Sequence, residues 1–365
     1  MRGHPEKQKS MFSYIDLEKR IASNHPLRSL RVLVDAILAS MDEDFEKLYS
    51  AQGRPSIPPE YLLKAMLLQI LFTIRSERQL VESIDYNLLY RWFVGLGMED
   101  SVWDHASFSK NRDRLFNERI AEVFFTKVKL LAQWAELTSD EHFSVDGTLI
   151  ESWASYKSFK PKASPESNDP DSPGNTRNPS VDFKGHKRCN DTHESTTDPE
   201  SRLYKKSEGT AAKLCHMSHI LTENRNGLVV GVATTQADGT AEREAGKKLL
   251  KKHINTRATV GADKGYDTKD FVATCREHGV TPHVAQKKKH SAIDGRTTSH
   301  QGYVMSIKKR KCIEEVFGWL KTVGGLRKTR HRGQEKLAGQ AMLCYAAYNL
   351  VRIGSLAGWW NARHT

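Results

Sequence analysis

The chain has 365 residues and carries 56 Lys and Arg against 44 Asp and Glu, a formal net charge of +12 at pH 7. At about 150 residues per domain this length predicts two or three domains. With 38% apolar and 27% charged residues, the composition is that of a globular protein and excludes collagen, coiled-coil rods and small disulfide-stabilised proteins. The basic excess favours a polyanionic partner.

The amino terminus, the apolar stretches and the cysteines indicate an intracellular protein. The first residues, MRGHPEKQKS, lack the apolar core and the cleavage site of a secretory signal. The apolar stretches are interrupted by polar residues, so none is expected to cross a bilayer. The five cysteines are scattered and uneven in number, so a disulfide framework is not expected.

Residues 26 to 138 have the periodicity of helices. Apolar residues recur at intervals of three and four, as between Leu62 and Leu71, and Pro58-Pro59 is suited to open a helix. We therefore predict an all-helical amino-terminal domain over residues 1–138.

Two predicted helices in this region resemble a helix-turn-helix. The first runs from Glu77 to about Val94, with Ser76 as its cap and Gly95 as its end. The second starts at Asp104 to Ser107 and carries basic residues. It is either a DNA-binding helix or part of a dimerisation and packing module whose basic face is solvated. The basic residues are Lys110, Arg112 and Arg114.

From His142 onward the pattern changes to alternating strands and helices, which predicts an α+β protein with a mixed sheet flanked by helices. The predicted elements are a strand over 142–150, a hairpin over 214–236 turning at Asn226-Gly227, a helix over 241–253, a strand over 257–262, a helix over 268–278, a strand over 280–285 and a helix over 310–322. We place the second domain at 139–353 and a carboxy-terminal tail at 354–365.

A polar stretch from about residue 153 to residue 213 interrupts this order. It is rich in Ser, Pro, Asn, Asp and Lys and falls between the first strand and the hairpin. We interpret it as a long insertion that is mobile unless something binds it.

Two aspartates lie on, or directly after, strands of the predicted sheet. Asp146 is in the middle of the first strand, and Asp263 follows the strand over 257–262. Functional sites in such sheets collect at strand ends, and hard oxygen ligands are those that Mg²⁺ requires. The alternative for either residue alone is a turn former.

The helix over 310–322 supplies a third acidic residue. On a wheel of 100° per residue, Glu314 flanks the apolar stripe on the side of Arg310 and Lys321, whereas Glu315 points away from it. The alternative for Glu314 is an ion pair with Arg310, four residues earlier. The apolar stripe, which is expected to face the sheet, consists of Ile313, Val316, Phe317 and Leu320.

Together these segments resemble the catalytic segments of bacterial DDE transposases of insertion-sequence family 5 and its family 4 relatives. The resemblance lies in SVDGT, ADKGY and RKCIEEVFGWLK, and the spacing Arg310-x3-Glu314-x6-Lys321 matches the signature around the catalytic Glu of that group. It covers nearly the whole chain, because further segments are also similar. These are MFSYIDLEKRI, HASFSKNRDRL, TTDPESRLYKK and VGGLRKTRHRG.

The resemblance implies an RNase H-like catalytic domain in which Asp146, Asp263 and Glu314 hold two Mg²⁺ ions, with Mn²⁺ able to substitute. Two such metals activate the attacking oxygen and stabilise the leaving oxygen in phosphodiester transfer. Water would first free a 3′-hydroxyl at the end of the element, and that hydroxyl would then attack target DNA. The sequence has neither a Walker loop nor a GxGxxG motif, so no nucleotide cofactor is expected.

The implied partner is double-stranded DNA, both the terminal inverted repeats of the element and its target. Two ends must be brought together, so a homodimer is expected in the synaptic complex, in the cytoplasm of a bacterium near its nucleoid. Phosphate contacts are predicted for the basic residues around the third acid, where residues 308 to 332 contain nine basic and two acidic side chains, a net charge of +7. The predicted DNA-contacting residues here are Arg310, Lys321, Lys287, Lys288, Lys289, Arg327, Lys328, Arg330 and Arg332.

The sequence departs from the group at one position. A Tyr commonly precedes the Arg by three residues, but that position is Ile307 here, and Tyr303 is the candidate substitute. Trp319 lies off the apolar stripe, which leaves two roles open: stacking on an unpaired base, or packing against the carboxy-terminal helix.

Other acidic, histidine and cysteine residues are assigned structural roles. Asp238 and Asp267 are expected to be cap or turn residues. Six His and Cys residues have spacings that zinc could use: His186, Cys189 and His193, with Cys215, His216 and His219. A zinc site is not expected, because the last three lie in a predicted strand, where neighbouring side chains point to opposite faces.

Two alternatives to an active transposase remain open. One is a catalytically inactive DNA-binding regulator derived from a transposase, and the other is a nuclease that cleaves without strand transfer. The three intact acids favour the enzyme over the regulator, whereas only the reaction products separate a transposase from a nuclease.

Overall fold

The structure is a computed structural model that describes residues 15–48, 56–117, 119–162, 188–205 and 210–360. Helices make up the amino-terminal region, as predicted. They are α1 (Leu17–Arg20), α2 (Pro26–Ala39), α3 (Asp42–Glu46), α4 (Pro59–Leu71), α5 (Glu77–Tyr86), α6 (Leu88–Val94), α7 (His105–Asn117) and α8 (Ile120–Trp134).

The helix predicted over 77–94 is wrong in one respect, because it is broken at Asn87. The Asn87 side chain accepts hydrogen bonds from the backbone N–H groups of Leu89 and Tyr90 and so caps a new helix, α6. The predicted ends are confirmed. Ser76 caps α5, and Gly95, at φ 106°, ends α6 in a left-handed conformation that favours glycine.

The second half forms a mixed six-stranded sheet in the described part of the chain, which confirms the predicted fold class. Its strand order is β4-β5-β1-β7-β8, with β6 also paired to β5. β1 is antiparallel to β5 and parallel to β7, and β7 is parallel to β8. The strands are β1 (His142–Glu151), β4 (Arg202–Tyr204), β5 (Lys213–Glu223), β6 (Val229–Gln236), β7 (Ala258–Ala262) and β8 (Val280–Val284).

Helices cover both faces of this sheet. One face is covered by α9 (Ala241–His253) and α10 (Lys269–Glu277), and Gly246 of α9 lies against Val145 of β1. The opposite face is covered by the helices nearest the carboxy terminus. They are α12 (Gln301–Lys309), α13 (Ile313–Thr322) and α14 (Gln334–Leu356), with the short α11 (Gly295–Thr298) preceding them.

The hydrophobic core is continuous between the helical region and the sheet. The long helix α14 is buried along much of its length, and it packs on α7 and α8 as well as on β6. Phe108 and Leu115 of α7 are fully buried in the same core. The region resembling a helix-turn-helix therefore has a clear packing role. None of the helices in the described ranges combines the length and apolar character needed to span a membrane.

The described parts of the predicted insertion contain three short strands. Residues 159–161 (β2) pair with residues 193–195 (β3), and β4 joins the edge of the main sheet. Residues 163–187 and 206–209 of the insertion lie outside the described residues, and its mobility stays a prediction. At the other end of the chain, α14 extends to Leu356 and Trp360 is buried, so the predicted tail begins inside packed structure.

Candidate active site

Asp146 and Asp263 each lie two residues beyond the last paired residues of two neighbouring parallel strands. The pairing of β1 with β7 ends at Ser144 and Gly261, and the same register carried two residues further would bring Asp146 opposite Asp263, directly after the end of β7. Neighbouring strands are about 4.8 Å apart. Two residues 117 positions apart in the sequence are therefore brought side by side by strand register.

Both aspartates are on the face of the sheet that α12 and α13 cover. A Cβ placed on Gly261 would lie 3.3 Å from the Ser144 hydroxyl and 3.4 Å from the Cβ of Arg310, so these groups share one face. Residues two apart in an extended chain point to the same side. Asp146 and Asp263 therefore point toward the helix segment that carries Arg310 and Glu314.

Local hydrogen bonds hold each aspartate in place. The Gly147 N–H donates to Asp146 Oδ1 at 2.8 Å, and the Gly265 N–H donates to Asp263 Oδ1 at 2.8 Å. Gly147 also allows a close approach, because a Cβ there would lie 2.8 Å from His219 Nδ1. The Asp-Gly-Thr and Asp-Lys-Gly motifs thus fix carboxylate orientation.

A buried tyrosine and a fourth carboxylate lie near the two aspartates. Tyr266 is fully buried and its hydroxyl has no hydrogen-bond partner among the described residues. Burial raises the pKa of Tyr266 well above its usual value, and the negative charges of Asp146, Glu242 and Asp263 raise it further. Sequence reasoning missed Glu242, because its position at the start of α9 carries no motif.

Glu314 is on the same side of the sheet, one helical turn beyond Arg310. It is exposed, and so is Glu315, so exposure does not distinguish them. No ion pair joins Arg310 to Glu314 in the described conformation, and Arg310 Nε is buried without a hydrogen-bond partner among the described residues. Trp319 packs edge-to-face on Tyr348 of α14, with ring centroids 5.6 Å apart, which is the packing role rather than a base-stacking one.

The carboxylate oxygens at this site fit Mg²⁺ in chemistry, since hard cations prefer such ligands. They are not assembled into a complete site, because among the described residues no three His, Cys, Asp or Glu side chains lie close enough to hold a metal ion. Two aspartates on neighbouring strands and a glutamate on the covering helix are therefore a candidate metal centre that the described conformation does not assemble.

Tyr303 does not replace the missing tyrosine at Ile307. It lies on α12, but its hydroxyl donates to the Val284 carbonyl at 3.0 Å and its ring packs against His283. The expected substitution is therefore wrong, because this hydroxyl is already engaged by β8. The helix nevertheless starts early enough to include Tyr303.

The basic segment after α13 extends the sheet beside β1. The Glu151 N–H donates to the Arg327 carbonyl at 3.1 Å, and the Thr329 N–H donates to the Glu151 carbonyl at 2.9 Å. The Lys328 ammonium lies over the ring of Trp153, 5.5 Å from its centroid. Arg327, Lys328 and the exposed residues that follow are thus attached to the strand that carries Asp146.

The other predicted DNA-contacting residues differ in exposure and in ion pairing. Lys110 and Arg114 are exposed on α7, whereas Arg112 turns inward to an ion pair with Glu77 and so is not part of their surface. Lys287, Lys288 and Lys289 are exposed after β8. Lys321 is partly exposed near the end of α13.

Asp238 and Asp267 have the structural roles predicted for them. Asp238 Oδ1 accepts the backbone N–H groups of Thr240 and Ala241 where α9 begins. Asp267 accepts the backbone N–H groups of Lys287 and Ala292, each at 2.8 Å, and so holds the loop that carries the lysines. Thr268, rather than Asp267, caps α10.

Among the described residues, those considered for zinc form no group of three that could hold a metal ion. His193 packs on Phe159, and the Cys189 thiol contacts Thr192. His219 Nε2 lies 2.8 Å from the Thr235 hydroxyl. Cys215 is buried, and burial raises the pKa of its thiol to about 12. His186 lies outside the described residues.

Asp198, from the insertion, binds the residue after β1, a histidine of β5 and the residue before α14. It is fully buried, contacts His216 Nε2 at 3.0 Å, and accepts hydrogen bonds from the Ser152 hydroxyl at 2.6 Å and the Gly333 N–H at 3.3 Å. Burial by itself raises the pKa of Asp198, but the hydrogen bonds from His216 and Ser152 outweigh it, so the pKa lies below its ordinary value. The insertion therefore joins β1 and β5 to the start of α14.

Replacing Asp198 by Asn is expected to lower the free energy of unfolding by about 2–3 kcal/mol, because the amide leaves its buried partners incompletely satisfied. Urea denaturation measures the loss, and Asp191→Asn, at an exposed position of the same insertion, is the matched control. Equal stability of the two variants would contradict the role of Asp198.

Comparison with protein families gives two matches. Residues 15–114 match the family described as Transposase domain (DUF772), and residues 180–350 match the Transposase DDE domain. The second match includes Asp263 and Glu314, and Asp146 lies between the two matched regions. The chain belongs to the DDE-type transposases, and five of the six strands of its mixed sheet, β4 to β8, lie in the region that matches the DDE domain. Assignment to insertion-sequence family 5 stays a prediction.

Comparison with curated proteins finds no match. Among solved structures, the piggyBac transposase synaptic complex with hairpin DNA is similar at 9% identity and a TM-score of 0.46, over 93% of this chain and 78% of that one. The Mos1 transposase paired-end complex with left transposon end is similar at 11% identity and a TM-score of 0.20, over 86% of this chain and 83% of that one. The Mos1 paired-end complex with Mn has 12% identity and a TM-score of 0.20, over 92% and 93%.

Proposed function

We propose that this DNA transposase binds the terminal inverted repeats of its own insertion sequence and catalyses Mg²⁺-dependent phosphodiester hydrolysis followed by strand transfer. The observation that carries the proposal is the register that sets Asp146 opposite Asp263, on the face covered by the helix of Glu314. Two aspartates on neighbouring strands, with a third carboxylate on the covering helix of a basic protein, suit metal-assisted chemistry on a polyanion.

The three carboxylates are proposed to hold the divalent ions. Bound Mg²⁺ would supply an activated oxygen nucleophile and charge stabilisation of the leaving oxygen. Asp146 and Asp263 are preset for this task by their glycine N–H hydrogen bonds, and Glu314 lies in the first turn of the covering helix α13. Buried Tyr266 stays protonated, because its pKa is raised, and adds no negative charge beneath them.

The basic side chains are proposed to bind the phosphates of the DNA. Arg310 lies beside Gly261, two residues before Asp263, and its buried Nε has no hydrogen-bond partner among the described residues, which makes its guanidinium a candidate contact for a phosphate beside the scissile bond. Arg327, Lys328 and Lys321 extend this surface. Two element ends must meet in one reaction, so the active assembly is proposed to be a homodimer.

The test incubates the full-length protein and Mg²⁺ with a linear duplex that carries the native end of the element and its flanking DNA. A denaturing gel is expected to show metal-dependent nicking at the boundary, leaving a 3′-hydroxyl on the element. Specific binding without cleavage across several divalent metals would favour the inactive regulator instead.

Separate substitutions of the two neighbouring glutamates test which of them is the third metal ligand. Glu314→Gln is expected to lower cleavage at least about 10²-fold, because a metal ligand is lost, whereas Glu315→Gln stays within about threefold of the wild type. The pair is matched in exposure, helix and charge. A Glu315 variant as inactive as the Glu314 variant would contradict the assignment.

A further inference from the structure

A cleft of about 720 Å³ separates the helical region from the segment after α13. One wall comes from α4, α5 and α7, and the other from residues 323–331 and α14. The Thr73 hydroxyl donates to the Val323 carbonyl at 3.1 Å across the base of the cleft, and Lys336 pairs with Asp113 at 2.5 Å nearby. The cleft is therefore preformed.

The rim of the cleft is cationic. Four arginines line it, and only Arg112 has carboxylate partners, Glu77 and Asp113. Within the described ranges, Arg75, Arg327 and Arg330 make no ion pair with a carboxylate. Arg75 and Arg330 both line the cleft, and burial and then the positive charge of Arg75 lower the pKa of the Arg330 guanidinium, so these two like charges repel each other. An anion between them would relieve that repulsion.

The floor of the cleft is apolar and carries amide groups at its edge. Ile70, Phe116 and Leu343 supply apolar surface, and the side chains of Gln69 and Gln340 border it. The volume is within the range of about 300–1,000 Å³ that encloses a small ligand. A cationic rim over an apolar floor matches the two parts of a nucleotide, a charged phosphate and a flat base.

We propose that this cleft seats one unpaired nucleotide of the bound DNA, with its phosphate between Arg75 and Arg330 and its base against the apolar floor. The proposal rests on the proposed function, which supplies the DNA. Thr322, next to the lining residue Val323, is eight residues beyond Glu314 on α13, which is about 12 Å, or the length of about four base pairs. The seated nucleotide therefore lies about three to five positions from the scissile phosphate.

The test measures binding of the element-end duplex with one phosphate at a time replaced by an uncharged methylphosphonate. With the wild-type protein, replacement of the phosphate at one or two adjacent positions is expected to weaken binding of the duplex about 10-fold, because a charge-assisted contact is lost. With Arg75→Gln, the same replacements are expected to weaken binding by about threefold rather than 10-fold, since one of the two cationic partners of the phosphate is already gone. Arg78→Gln, exposed on α5 outside the cleft, is the matched control and should keep the wild-type profile.

A fluorescent 2-aminopurine at the identified position reports on the base. Its emission is expected to rise on binding to the wild type, as the base leaves the stack, and to rise less with Arg75→Gln. Three results would each overturn the proposal: equal binding of all the methylphosphonate duplexes, the same dependence on position in Arg75→Gln as in the wild type, or a base that stays stacked.

Cleavage of the same duplex, scored in parallel, separates this proposal from the proposed function. A flat profile with normal cleavage overturns the nucleotide seat alone. A localised profile without cleavage supports the seat and overturns the catalytic proposal. Failure to bind the element end at all would overturn both.

Discussion

Asp263→Asn and Asp146→Asn are each expected to lower the rate of DNA cleavage at least about 10³-fold, or about 4 kcal/mol in activation free energy. The physical reason is that each change removes a negative ligand from a pair that strand register sets side by side. The fold should survive, because neither side chain is fully buried and an amide oxygen can still accept the adjacent glycine N–H. Single-turnover cleavage with Mg²⁺ measures the effect.

The matched control for this prediction is Asp270→Asn. Asp270 follows Asp263 by seven residues, is exposed, and pairs with Lys247 at 2.6 Å on the far face of the sheet. It should cleave at close to the wild-type rate, and all three variants should bind the element end within about threefold of the wild type. Cleavage by Asp263→Asn above a tenth of the wild-type rate would refute its role as a metal ligand.

The second large effect is a loss of stability between about pH 6.5 and pH 4. Burial lowers the pKa of His219, His253 and His283 to about 4, and that of His331 to about 3. At pH 7 these histidines are mostly neutral in both the folded and the unfolded state. Below pH 6.5 the imidazoles become protonated in the unfolded chain but stay neutral in the folded chain. Each therefore lowers the free energy of unfolding by about 1.4 kcal/mol per pH unit through this window.

Thermal unfolding at constant ionic strength from pH 7.5 to pH 4.5 measures this dependence. The midpoint is expected to fall steeply below pH 6, and His219→Gln should reduce the slope by about a quarter. His105→Gln, at an exposed position, should leave the slope unchanged. A midpoint that is constant between pH 6.5 and pH 4.5 would contradict the burial of these four imidazoles.

Local sequence signals predicted most of the elements that build the site. Alternating apolar residues and the Asn226-Gly227 turn gave the strands to within one or two residues, because side-chain alternation and turn chemistry act over a few positions. The break at Asn87 was missed, because the same asparagine is tolerated inside a helix and only its hydrogen bonds show it to be a cap.

The features that the sequence did not reveal depend on contacts between distant segments. Asp198 lies in a polar stretch that predicts exposure, yet His216 and Ser152 bury it. The cleft joins Thr73 to Val323, 250 positions apart, and no local pattern connects them. The helix α12 was missed because Val304 and Met305 are exposed, so its apolar residues do not mark one buried face.

The most direct test of the central claim is the joining reaction. Precut element ends with a free 3′-hydroxyl are incubated with Mg²⁺, a supercoiled plasmid, and either the wild-type protein or Asp263→Asn. We expect covalent joining of the ends to the plasmid by the wild type and none by the variant. Cleavage of uncut ends without any joining of precut ends would contradict it and identify a nuclease.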